Sequence, residues 1–210
     1  MEKNKAPDSV QIRTAYLMAV GRFREAESIG RRDPFVLNGR ALGGDCGFLQ
    51  EQKPIPGPPI GQSLILLNCG EDARAGQVAQ AALMRPNDPF TASLLRSLVA
   101  LASHQPEQAL KELQPIQRFT GPTVSGLRAR ALHQLNRSAE EVQELSKLMP
   151  RSLLLDNGYA ANHVRLARAL AASGDKPGAR KVYEAFFKLW EHADPDIPIL
   201  IQTHKEYDAL

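Results

Sequence analysis

A period constrains this chain more than any motif in it. Helix breaks opening with Gly21, Gly70, His104, Asn136 and Gly174 each lead into a second polar-to-apolar segment. Five residues after the break stand Ala26, Ala75, Ala109 and Ala179; only Glu141 departs. From Gly70 onward the intervals are 34, 32 and 38 residues. A residue that tolerates left-handed backbone can end one helix, and a small side chain early in the next lets the two helices cross closely. Apolar residues at helical spacing precede the breaks over 91–103, 124–135 and 162–173, where Leu166, Ala167 and Leu170 share one face. Asp88 before Pro89, and Asp175, read as helix starts, and Ser138 followed by Glu141 spells a capping box.

The period predicts an all-α chain, one array over 1–210 built from helical hairpins. A first hairpin falls at 8–30 and regular repeats at 63–192. Between them, 31–62 carries Pro34, Pro54, Pro56, Pro58, Pro59 and six glycines, so a continuous helix is excluded. A short helix near 34–42 followed by loop is expected there. After "ADPDIPIL", the spacing of Leu200, Thr203, Tyr207 and Leu210 predicts a helix over about 197–208 that caps the exposed end of the array, giving a capping segment at 193–210.

Composition removes several function classes. With 26 basic and 23 acidic residues the net charge is +3, too mild to imply nucleic acid as a partner. No apolar run approaches the roughly 18 residues that a membrane helix needs. Cys46 and Cys69 lack CxxC spacing, so neither a zinc site nor a disulfide framework is expected. The stretch "MEKNKAPDSV" lacks the apolar core of a leader, and the chain reads as cytoplasmic.

The hairpins resemble the tetratricopeptide repeat, a 34-residue helix-turn-helix unit, with His104 and Asn136 standing where that repeat usually has glycine. More narrowly, "RPNDPFTASLLRSLVALASHQPEQALKELQP" and the ending from "LARALAASGDKPGARK" to "EYDAL" are similar to the C-terminal repeat region of acidobacterial-type serine/threonine kinases and winged-helix regulators. The resemblance implies a right-handed helix-hairpin solenoid and a non-catalytic protein-protein interaction module, the sensory or scaffolding part of a bacterial signalling protein. The rival readings are a structural oligomerisation domain and a metal-dependent enzyme. Fusion to a membrane-anchored kinase would make the location extracytoplasmic.

No cofactor or metal is called for. "GGDCG" at 43–47 has glycines but neither a preceding strand nor a following Lys-Ser/Thr, so it reads as loop rather than phosphate cradle. His192, Asp194, Asp196 and His204 could ligate a divalent ion, but Asp beside Pro more often caps a helix. With each break set at position 15, Arg13, Arg96 and Arg128 share position 7. They could form a ladder for an acidic ligand, or lie over the seams between repeats with their stems buried, which the residue chemistry favours. The resembling arrays line their concave face with first-helix positions, which places Arg130, His133, Gln134 and Arg168 in a shared groove, with Leu98 and Leu101 one repeat earlier. Such a mixed basic and apolar groove suits an acidic or carboxylate-terminated protein or peptide ligand.

Overall fold

All five breaks turn through left-handed backbone: φ is 77° at Gly21, 72° at Gly70, 53° at His104, 56° at Asn136 and 94° at Gly174. At each, the next residue's N–H reaches back five residues to a carbonyl of the preceding helix: Arg22 to Leu17, Glu71 to Leu66, Gln105 to Ala100, Arg137 to Leu132 and Asp175 to Leu170. That is the hydrogen-bond signature of a Schellman stop, which satisfies carbonyls the helix end would otherwise leave open. Ala26, Ala75, Ala109 and Ala179 are each fully buried where the second helix crosses the first.

The computed structural model describes residues 9–51, 54–119, 121–149 and 158–210; the leader reading of 1–8 and the stretch 150–157 inside the repeat block lie outside them. Among the described residues the chain is all-helical, without a strand. Five hairpins pair α1 (Ser9–Ala19) with α2 (Phe23–Gly30), α4 (Pro59–Asn68) with α5 (Asp72–Leu83), and α6 (Pro89–Ala102) with α7 (Pro106–Leu113). They continue with α8 (Pro122–Gln134) and α9 (Ser138–Ser146), then α10 (Tyr159–Ala172) and α11 (Lys176–Leu189). A lone α3 (Pro34–Leu42) precedes the second hairpin and α12 (Pro198–Asp208) ends the chain. Each helix packs on its neighbour in sequence.

Helix starts follow the sequence in part. Asp33 and Asp88 cap α3 and α6 by accepting backbone N–H bonds ahead of a first-turn proline, and Asp175 accepts from Gly178. The expected capping box of Ser138 and Glu141 does not form: Arg137 holds the cap position with no side-chain bond to the helix's backbone N–H groups, and the Glu141 carboxylate turns away to His133.

Two long-range features correct the sequence reading. Cys46 and Cys69 form a disulfide, with Cα atoms 5.7 Å apart. Nothing in a 23-residue separation announces this. It arises because α3 and α4 lie side by side with their C-terminal ends together, and the Pro/Gly loop after α3 stays compact, with a 3-10 turn at Gly47–Gln50 and the Arg40 guanidinium over the Phe48 ring.

The second is closure. Leu17, Met18, Phe23 and Val36 share one core with Val164, Ala167, Phe186, Trp190 and Ile197. The indole N–H of Trp190 donates to the Ala19 carbonyl at 3.0 Å, and Asp194 N–H donates to Gly21 O at 2.9 Å. Ile199 N–H donates to Gly43 O at 3.0 Å. The first and last hairpins therefore meet, so the C-terminal segment seals a ring instead of capping an exposed end. Its apolar stripe is as expected: Thr203 is buried and Tyr207 packs on Tyr183 and Phe187.

Candidate functional site

Closure leaves a channel in the middle of the molecule. Helices α3, α4, α8 and α10 turn Leu42, Asn68, Arg130 and Arg165 toward a common waist, and this waist separates two cavities of about 260 and 340 Å³. The first is completed by Ala41, His133, Glu141, Ala161, Arg168 and Ile199. The second has a mixed lining, with Leu64, Pro122, Gly126 and Leu127 beside Asn38, Thr123 and Asn162.

At the waist sit two guanidinium groups. Arg130 donates to the Leu67 carbonyl at 3.2 Å and to Asn68 Oδ1, which ties α8 to the C-terminal end of α4. Among the described residues Arg165 makes one long hydrogen bond, 3.4 Å to the Gly126 carbonyl. Among the described residues neither has a carboxylate within ion-pair distance. Burial pulls Arg130 down to about 10, the nearby charge of Arg165 pulls the same way, and Asp72 offsets part of it. Arg165 is lowered by burial and by Arg168, against the pull of Glu141. Both stay cationic at neutral pH, so the waist holds like charges facing one another.

The flanking cations are paired. Arg168 grips Glu206 of α12 through two bonds of 2.8 and 2.9 Å, and Tyr183 donates to the same carboxylate at 2.9 Å. His133 Nδ1 lies 3.1 Å from Glu141, and this bond raises the imidazole above its ordinary 6.5 despite partial desolvation. Glu141 is the one carboxylate lining either cavity among the described residues.

Arg130 and His133 line the first cavity, and Arg168 stands on its wall, already occupied. Gln134 is exposed and lines neither cavity. Leu98 and Leu101 are corrected outright: both are completely buried, because α6 packs against α5 and α7 and also meets α4 and α8. Position 7 is corrected too. Arg13, Arg96 and Arg128 pair with Glu25, Glu112 and Glu144 at 2.8, 2.6 and 3.0 Å, bridging the two helices of their own hairpins, neither a ligand ladder nor seam cover.

The imagined metal ligands are dispersed into other duties. Asp194 accepts the Arg24 N–H at 2.9 Å, Asp196 pairs with the Arg24 side chain at 2.6 Å, and the His204 ring stacks on Phe187. Both aspartates thus serve the start of α2, across the closure, and not their own helix, whose cap position is Ile197.

Sequence reasoning missed Asn68, Glu141 and Arg165. Asn68 holds position 13 of its repeat, like Gln134, so the same register pointed to it. Glu141 was visible as the break in the alanine rule. Arg165 gave no signal, lying one residue before the apolar stripe of α10. No family model, curated protein or solved structure matches this chain.

Proposed function

We propose that this chain is a non-catalytic binding module of the tetratricopeptide-like kind, capturing a carboxylate-bearing segment of a protein partner in its central channel. One observation carries the reading: Arg130 and Arg165 face the channel with no acidic partner among the described residues, so a carboxylate arriving there relieves a repulsion and gains charge-assisted hydrogen bonds. The second cavity, of mixed polar and apolar lining, offers room for an adjoining side chain. A role as the sensory or scaffolding part of a bacterial signalling protein rests on the sequence resemblance alone.

The Cys46–Cys69 bridge supports the extracytoplasmic alternative over the cytoplasmic one, since such bonds persist in oxidising compartments. No helix among the described residues is long and apolar enough to cross a membrane.

Fluorescence anisotropy with short labelled peptides, identical except for a free or amidated C-terminus, tests the reading. Binding that needs the carboxylate, weakens with added salt and falls in Arg165→Met supports it. Equal behaviour of the two peptide series, or indifference to Arg165→Met, removes it.

A further inference from the structure

The channel is more selective than a general peptide groove, because closure of the first hairpin on the last leaves cavities of about 260 and 340 Å³ in place of an open concave surface. These sit at the small end of ligand pockets, and an amphipathic helix, about 10 Å across, does not fit within them. Within that space the charge is unbalanced. Arg168 is neutralised by Glu206, and Glu141 is bonded to His133 and pulls on Arg165 only from a distance, as Asp72 does on Arg130, which leaves the two waist guanidiniums without an ion pair among the described residues.

Arg130 has a structural duty in tying α8 to α4, and this uses two of its N–H groups. A guanidinium carries five, so donors remain for the channel. No such duty explains Arg165. Among the described residues its one hydrogen bond is at the limit of hydrogen-bond length, and its charge works against both Arg130 and Arg168, with Glu141 offsetting part of this. A half-buried cation without an ion-pair partner is costly, and two facing each other cost more. The arrangement becomes favourable when a doubly charged anion sits between them.

We propose that the waist of the channel is a binding site for a compact free dianion, of dicarboxylate or phosphate size, bridging Arg130 and Arg165. This rests on the reading of the channel as the ligand site, and it names the ligand as a small molecule independent of any polypeptide. The module then senses a small acid directly, with the ring seam and α12 forming the walls that such an anion would brace.

Isothermal titration calorimetry of the full chain at fixed ionic strength, with sodium succinate in one arm and inorganic phosphate in another, separates the two anion sources; acetate and chloride serve as monoanion references. Saturable one-site binding of either dianion is expected, tighter than acetate, with a loss of about tenfold or more in Arg165→Met. Arg165→Met without ligand should melt no lower than the parent, because a repulsion has been removed, and should lose the dianion-induced rise in melting temperature. Arg130→Met is the second variant; should it unfold through loss of its bonds to α4, Arg165→Met alone decides. Absence of saturable dianion binding, or binding unchanged by Arg165→Met, overturns the proposal. If carboxylate-terminated peptides bind while both dianions fail, the small-molecule site is overturned and protein capture stands. If a dianion binds and the peptides do not, the site stands and protein capture falls.

Discussion

At Gly21 two demands meet on one residue. Its φ of 77° is left-handed, and a Cβ built there would lie 2.5 Å from Ala193 Cβ and 2.9 Å from the Trp190 ring, on the closing seam. Gly174 is equally left-handed at 94°, yet a Cβ there would meet nothing within 4 Å. Gly174→Ala should therefore lose only the backbone term, about 1–2 kcal/mol. Gly21→Ala should lose that and the seam contact as well, so urea unfolding must show a clearly larger drop for Gly21→Ala. Equal losses would mean the seam carries no energy.

His133 supplies the pH dependence at this scale. Its folded pKa is raised by Glu141, so the pair's contribution is fully present below the unfolded value near 6.5 and fades as pH rises through the higher folded value. Anion affinity should decline over the same window, as a third cation leaves the channel. An NMR titration of the His133 ring in parent and Glu141→Gln checks this: the midpoint should move down in the variant, and an unmoved midpoint would break the assignment. The side chain is largely exposed, so the effect on global stability is small.

At the scale of elements, α12 shows how one carboxylate docks a helix. Burial alone would raise Glu206, but its bonds from Arg168, Tyr183 and Gln202 hold it below the ordinary value. Stability from this cluster is thus present above the unfolded pKa and lost as pH falls through the lower folded one. Glu206→Gln should loosen α12 by about 1–3 kcal/mol, read as faster amide exchange over 198–208 with α4 to α9 unchanged. Uniform acceleration across the chain would contradict local docking. The cluster also explains why Arg168 cannot serve as a free groove cation, although it occupies the same repeat position as Arg130.

The whole molecule is a ring, and its single tryptophan marks the join. A linear array can unfold from its ends, since each repeat contacts only its neighbours. Here the end hairpins share a core, so Trp190 emission and helical circular dichroism should change together during denaturation. Early loss of the Trp190 signal, with helices intact, would show that the ring opens as a separate step. Removing the covalent tie by Cys46→Ser and Cys69→Ser should destabilise the chain by about 3 kcal/mol for a loop of this length, measurable by guanidinium unfolding of the variant beside the oxidised parent.

The sequence by itself determined what is local. A left-handed stop, its bond five residues back, and an alanine at a helix crossing all lie within one short window, so Gly21, His104, Asn136 and Ala109 could be read from period and residue type. The same holds for α3 at Pro34–Leu42 and the starts at Asp88 and Asp175. Only the tertiary structure decided the Cys46–Cys69 bond, the seam between Trp190 and Ala19, and the meeting of Arg130 with Arg165. Those contacts join residues up to 171 positions apart, where no periodic pattern carries information about distance. Register said which face a residue occupies; whether that face meets solvent, as at Arg130, or a covering helix, as at Leu98, depends on how the whole ring curves.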